Sequence, residues 1–236
     1  MSVILSVLTS FVWAQQPPQS FAYLKKIDID GNSSIYVDPS VDCKPFDVNE
    51  QESLEEIGYQ GPPVYEVCTL EMGKGNLFKV IFSEGPSADP YFEFHPLSKK
   101  GKPIPRTKST FGMAATTLYI PKGTSLYAEG WTNSMFNLRR KFSYDGKGWK
   151  EVKQPFYYVV LKSKVKKVGE QTHLQVYADK NKNKKVAVLP VGSDIEVLLC
   201  DEKDWYLIRS SFGLVGWVFV AEGLYDTQIG VRFAGD

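Results

Sequence analysis

The chain has 236 residues, enough for one large or two small domains, and its hydrophobic fraction of 43 % is that of an ordinary globular protein. Its formal net charge of +1 argues against a nucleic-acid binder, because such proteins carry a strong basic excess on one face. Aromatic residues make up 14 % of the chain, which favours strands over helices as the means of burying surface. We therefore expect an all-β protein with two domains.

An uncharged, apolar run opens the chain and ends in Val12-Trp13-Ala14. Such a run before a small residue is typical of a secretory signal peptide, although the usual basic residues at its start are missing. It is shorter than the about 20 residues that span a bilayer. The sequence predicts a signal peptide over residues 1–14, a mature chain that begins at Gln15 without a stable membrane span, and a periplasmic or secreted location. An uncleaved membrane anchor is the alternative.

Short strands separated by turn residues are predicted from residue 22 to residue 154. Asp30-Gly31-Asn32 predicts the turn of a hairpin over Leu24–Val37, and Asn49–Ile57 is the best helix candidate. Further strands are predicted at Val64–Leu70, Leu77–Phe82, Tyr91–His95, Ala115–Ile120, Ser125–Glu129, Phe136–Tyr144 and Trp149–Val152. Gln154-Pro155 then predicts a hinge, so residues 22–154 form a β-rich domain of unknown function.

Part of this domain has the same residue spacing as a segment near the end of the chain. Pro121-x-Gly123 and Phe136-x-Leu138-x-Arg140 match, at one common offset, Pro190-x-Gly192 and Trp205-x-Leu207-x-Arg209. Common offsets indicate internal repeats, so a divergent second copy of the C-terminal fold over residues 85–153 is one interpretation. Pro-x-Gly turns before strands are also common in any β-protein, which is the other.

The last third of the chain has the pattern of a meander of tight hairpins. Four motifs stand between residues 174 and 218: Leu174-Gln175-Val176-Tyr177, Leu189-Pro190-x-Gly192, Asp204-Trp205-Tyr206-Leu207-Ile208-Arg209 and Phe212-Gly213-x-x-Gly216-Trp217-Val218. Together they resemble a bacterial SH3-like (SH3b) domain, which we place at residues 156–225. The resemblance implies a small β-barrel of an extracytoplasmic bacterial protein that binds cell-wall peptides (peptidoglycan).

Strand parity predicts which side chains of this barrel face outward. Successive side chains of a strand point to opposite faces, so Trp205 shares its face with Arg209, whereas Tyr206 and Ile208 share the other. An arginine rarely enters a small core unpaired. We therefore expect Tyr206 and Ile208 in the interior, and Trp205 outside as an anchor for a ligand.

A barrel this small cannot bury all of its aromatic residues, so some must line a shallow face on which an extended peptide can lie. Tyr177, Trp205 and Trp217 are the predicted ligand-binding rings. Four nearby lysines add attraction for the carboxylates of wall peptides: Lys180, Lys182, Lys184 and Lys185. The alternative is that the rings are core and the lysines a solvated loop. A second hypothesis is a structural or interaction protein of the envelope that binds another protein through strand edges, and a third is an accessory to a cell-wall hydrolase.

Catalytic motifs are lacking. The two histidines, His95 and His173, do not have the spacing of a zinc site, and no Gly-x-Ser-x-Gly elbow is present. His95 is expected at the surface or at a strand end, without a cysteine nucleophile beside it. We therefore predict no enzyme activity, no metal and no cofactor.

The predicted state of the three cysteines depends on the compartment in which the protein resides. In an oxidising environment, Cys43 and Cys68 are predicted to form a disulfide, because both lie in one turn-rich region. Cys200 ends an apolar strand and is predicted to be a buried, unreactive thiol.

Overall fold

The computed structural model describes residues 17–41, 43, 64–73, 75–84, 89–99, 110–130, 134–201, 203–221 and 226–232. Within these ranges the chain is nearly all β-structure, which confirms the predicted all-β class. The strands are β1 (Lys25–Asp28), β2 (Ser34–Val37), β3 (Val64–Glu71), β4 (Leu77–Glu84), β5 (Pro90–Leu97), β6 (Phe111–Ala114), β7 (Thr117–Ile120), β8 (Ser125–Gly130), β9 (Leu138–Tyr144), β10 (Trp149–Glu151), β11 (Tyr157–Lys164), β12 (His173–Tyr177), β13 (Lys185–Pro190), β14 (Asp194–Cys200), β15 (Trp205–Ser210) and β16 (Val215–Phe219). The predicted signal peptide and the predicted helix over Asn49–Ile57 lie outside the described residues.

The strands form three sheets. Their orders are β1-β2-β7-β8-β9-β10, β3-β4-β5-β6 and β11-β14-β15-β16-β12-β13. The predicted hairpin over Leu24–Val37 is present as the antiparallel pair β1 and β2. Strand β2 then pairs in parallel with β7, with Ser34 opposite Thr117. The first sheet is therefore built from segments that are far apart in the sequence.

The first two sheets enclose one hydrophobic core. Buried side chains such as Ile35 and Leu118 of the first sheet and Phe82 and Phe92 of the second belong to a single cluster. Trp149 of β10 packs against this core, with its ring centroid 5.3 Å from that of Phe111 in β6 of the facing sheet. Aromatic contacts of this kind bury large areas, so the two sheets form one packed unit.

This arrangement contradicts the proposed second barrel over residues 85–153. Strands β5 and β6 belong to one sheet, whereas β7, β8, β9 and β10 belong to the other. The segment does not close on itself because β7 takes β2 as its neighbour, with Val37 opposite Ile120. The common Pro-x-Gly offset reflects similar turns and not a repeated fold.

The third sheet has its own core, which takes side chains from all its strands except β13, whose Ala187 and Leu189 pack against it partly buried. The predicted hinge at residues 154–155 falls between β10 and β11. Beyond the predicted domain end at residue 225, Ile229 and Val231 are fully buried in the same core. One face of this sheet supplies nearly all of its buried side chains.

None of the three sheets closes into a barrel in the part of the chain that the structure describes. In the third sheet, the described strands give β11 one partner, β14, and β13 one partner, β12. Lys185 and Pro190 at the ends of β13 are typical of an edge strand, since a charged side chain and a missing N–H both discourage further pairing. Val160, with a φ of 53°, lies in a bulge that interrupts the β11 ladder.

Contacts join the two cores. Phe136 and Leu138 pack against the C-terminal core, and the Met135 N–H donates to the Val231 carbonyl at 2.9 Å. The Tyr157 hydroxyl donates to Glu151 Oε1 at 2.9 Å across the predicted hinge. Among the described ranges, no helix has the length and apolar character needed to cross a membrane.

Candidate ligand-binding face

The predicted parity of β15 is confirmed. Tyr206 and Ile208 are 5 % and 0 % exposed and belong to the core, whereas Arg209 is exposed and Trp205 is half-buried. The outward side chains of this strand lie on the face of the sheet that points away from the core, which we call the outer face.

A row of mostly apolar side chains crosses the outer face from one edge strand to the other. Its members stand directly opposite one another in successive strand pairs: Tyr158, Leu199, Leu207, Trp217, Tyr177 and Lys185. Tyr158 is 56 % exposed, and the four residues that follow it are half-buried. Opposite residues share a face and touch, so they form a continuous stripe.

Two aromatic pairs widen this row. The Trp205 and Phe219 rings, on β15 and β16, have centroids 5.3 Å apart in an edge-to-face arrangement. Phe156, just before β11, lies 5.4 Å from Trp217. Both phenylalanines keep about 40 % of their surface exposed. Exposed apolar area concentrated in one patch is typical of a binding surface.

Two lysines of the β12–β13 connection lie over these rings. Lys180 Nζ is 4.4 Å from the Trp217 ring centroid and 4.9 Å from that of Phe156. Lys182 Nζ is 4.1 Å from the centroid of Phe219 and 5.6 Å from that of Trp205. Each ammonium therefore makes cation–π contacts with one aromatic pair.

The connection has a defined local geometry. The Asn181 N–H donates to Asp179 Oδ1 at 2.8 Å, and the Ala178 N–H donates to the Lys184 carbonyl at 2.8 Å. Lys182 has a φ of 60°, in the left-handed region that non-glycine residues seldom occupy. These bonds hold the backbone in a tight turn that directs Lys182 onto the rings.

Asp201 fixes Lys180 in place. Its Oδ2 accepts from Lys180 Nζ at 2.7 Å, and its Oδ1 accepts from the backbone N–H groups of Trp205 and Lys203 at 3.0 and 3.1 Å. Burial raises the pKa of the Asp201 carboxyl, but these hydrogen bonds together outweigh burial and hold the pKa below its ordinary value. The carboxylate is therefore charged at neutral pH and neutralises Lys180.

A groove of about 390 Å³ lies beside Phe219. Tyr177, Lys182 and Phe219 form the side next to the rings, and Gln175, Gln228 and His173 supply polar groups. The Tyr177 hydroxyl donates to Gln175 Oε1 at 2.6 Å, which orders both side chains.

The structure brings together some of the predicted site residues. Trp205, Trp217 and Tyr177 share the outer face, as does Lys185 at its edge, whereas Lys184 is exposed without a ring contact in the described part of the chain. Sequence reasoning missed Phe156 and Phe219 as site residues. The parity of Val215-x-Trp217-x-Phe219 identifies Phe219, but no pattern in the sequence identifies Phe156.

The thiols and His95 lie away from this face. Burial of Cys200 is confirmed, at 2 % exposed. A hydrogen bond with the Cys43 thiol, together with burial, raises the pKa of the Cys68 thiol. Both are free thiols in the structure but lie side by side, so the disulfide stays a prediction.

Of the two positions expected for His95, at the surface or at a strand end, the surface position is wrong. His95 is 1 % exposed, and its Nε2 is 2.7 Å from Glu93 Oε2 on the same strand. The carboxylate stabilises the ring by giving it a buried polar partner. His173 is exposed, and its Nδ1 lies 2.9 Å from Thr172 Oγ1.

In the described ranges, no three side chains of histidine, cysteine, aspartate or glutamate are grouped to hold a metal ion. The comparisons with known proteins add no relative. No protein-family model matches the chain, and neither a curated protein nor a solved structure is similar to it.

Proposed function

We propose that this chain is a non-catalytic, exported binding protein that holds cell-wall peptides on the outer face of its C-terminal sheet. The observation that supports the proposal best is the row from Tyr158 to Lys185 with its two lysine-capped aromatic pairs. Half-buried tryptophans beside exposed phenylalanines are typical of the anchors found at the centre of peptide interfaces. The lysines add attraction for carboxylates, which abound in wall peptides.

The C-terminal sheet is, in this proposal, an open and divergent form of the SH3-like barrel. The β14–β15–β16 meander and the return of β12 to pair with β16 through Tyr177 and Trp217 support this view. So does the single core on one face of the sheet. It differs from a closed barrel because β11 and β13, the two edge strands, do not pair with each other in the described residues.

Co-sedimentation with purified sacculi tests the proposed function. We expect the parent protein to sediment with sacculi, and Trp217→Ala to stay in the supernatant while its circular dichroism spectrum remains that of a folded β-protein. Phe212→Ala is the matched control, because Phe212 is an aromatic residue that is 88 % exposed and lies in the β15–β16 turn, away from the row. Equal sedimentation of the parent and Trp217→Ala would refute the proposed face.

A second candidate function is a structural or interaction protein of the envelope that binds another protein through a strand edge. Strand β13 favours it, because among the described residues β13 pairs on one side only and Val188 in its centre is 52 % exposed. This function predicts no binding to sacculi that have been stripped of protein. Capture of one defined envelope protein, abolished by Val188→Pro, would support it.

A further inference from the structure

We propose that the groove beside Phe219 receives the terminal carboxylate of a peptide, and that Lys182 is the residue that binds this carboxylate. This inference rests on the proposed function and specifies which group of the wall peptide the site recognises. The charges of the residues that line the groove support it. Of the residues that line it, Lys182 is the one with a permanent charge, and none is aspartate or glutamate.

Lys182 differs from Lys180 in its availability. Lys180 already bonds to the Asp201 carboxylate at 2.7 Å and is half-buried between two rings. Lys182 is exposed, and no carboxylate lies within salt-bridge distance of it among the described residues. Its cation–π contacts with Phe219 and Trp205 hold the ammonium in place and leave its N–H donors for a ligand. An ammonium that is held beside a groove without acids is complementary to a carboxylate.

The rest of the groove matches the groups of a peptide backbone. Because the Tyr177 hydroxyl occupies Gln175 Oε1, the amide of Gln175 keeps its N–H donors for a peptide carbonyl. Gln228 Nε2 donates to the His173 carbonyl at 3.2 Å, so its amide oxygen remains to accept from a peptide N–H. One donor group and one acceptor group therefore stand beside the cation. A volume of about 390 Å³ accommodates two or three small residues and not a folded protein.

The test compares native sacculi with sacculi whose carboxylates have been converted to neutral amides by carbodiimide and ammonia. We expect the parent to bind the amidated sacculi about tenfold more weakly than the native ones, because the charge-assisted hydrogen bonds are lost. Lys182→Gln is expected to bind native sacculi about tenfold more weakly than the parent, with no further loss after amidation. Lys182→Arg restores the charge and is expected to recover most of the binding.

Lys184→Gln removes the same charge from the same connection outside the groove, and we expect its binding to stay within about twofold of the parent. Thermal melts of all three variants establish that they are folded. The inference is overturned if Lys182→Gln binds native sacculi as the parent does, or if amidation weakens both proteins equally. If the parent does not bind native sacculi, the proposed function fails and this inference fails with it.

Discussion

Lys180 places its ammonium 4.4 Å from the ring centroid of Trp217 and at the same time bonds to a carboxylate. One lysine therefore links a loop to a ring on the outer face and to the hairpin turn that carries Asp201. This link ties the conformation of the β12–β13 connection to the charge of a single aspartate.

The first prediction concerns acid. Because the pKa of Asp201 is below its ordinary value in the folded protein, its contribution to stability is full above about pH 4 and is lost as the pH falls through the folded pKa. We expect Asp201→Asn to have a lower melting temperature than the parent at pH 7. At pH 3 the two melting temperatures should lie closer together. Melting curves between pH 7 and pH 3 measure this. Asp194→Asn is the control, since Asp194 forms an ion pair with Lys164 in which both side chains are about two-thirds exposed. A constant difference across this range would contradict the assignment.

The second prediction separates binding from folding within one strand. Trp205→Ala should leave the fold intact and weaken the binding of wall material by about 2 kcal/mol. Ile208→Ala, three residues further on, should lower the free energy of unfolding by about 2–4 kcal/mol, because it leaves a cavity at a fully buried position. Denaturant unfolding and sacculus co-sedimentation of both variants provide the test. An unfolded Trp205→Ala protein would show that this ring is part of the structure and not of a binding site.

The third prediction concerns the approach of β12 to β16. A Cβ atom added at Gly216 would lie 2.6 Å from the carbonyl oxygen of Tyr177 and 2.7 Å from Val176 Cγ1. Backbone and core atoms cannot move away cheaply, so Gly216→Ala should destabilise the protein by about 1–3 kcal/mol. Gly148→Ala is the matched control, because nothing lies within 4 Å of its added Cβ. Equal unfolding midpoints for the two variants would contradict the packing of these strands.

The fourth prediction concerns the thiols. In protein recovered from an oxidising compartment, Cys43 and Cys68 should be joined, and Cys200 should stay unlabelled until the protein is denatured. Mass spectrometry of the unreduced protein measures both. The bridge should stabilise the fold by about 3 kcal/mol relative to Cys43→Ser. Alkylation of Cys43 and Cys68 in the native exported protein would contradict the pairing.

The fifth prediction is export. The mature protein should begin at Gln15, because Ala14 follows an apolar run of the kind that signal peptidases recognise. N-terminal sequencing of the protein from its native host decides the point, with a cytoplasmic enzyme followed as the marker of cell lysis. Intact Met1 in the soluble cytoplasm would refute the prediction.

Local patterns in the sequence were sufficient to predict most strands. The turn at Gly31 and the alternation along β15 both depend on neighbours in the chain, and the structure has both as predicted. The short strand β6, Phe111–Ala114, was not predicted, because its pairing with β5 contributes more to its stability than its own propensity does.

The pairing of strands that lie far apart in the chain could not be predicted from the sequence. The parallel contact of β2 with β7 has no local signal, so the sequence alone could not decide between a second barrel over residues 85–153 and unrelated turns of the same kind. At the site, parity identified Trp205, whereas the choice among the lysines depended on a turn. The positive φ of Lys182, which a sequence of mostly lysine and asparagine does not specify, belongs to the turn that places this ammonium over Phe219 and Trp205.

The parallel pair of β2 and β7 also constrains the order of events as the chain leaves the ribosome. The β1–β2 hairpin is made early, but its neighbour in the sheet emerges only after Ile120 has been synthesised. A two-stranded hairpin is marginally stable alone, and closing so long a loop costs entropy before any contact compensates for it. The first two sheets therefore assemble late and slowly. In contrast, β14, β15 and β16 are joined by tight turns and form soon after they are synthesised.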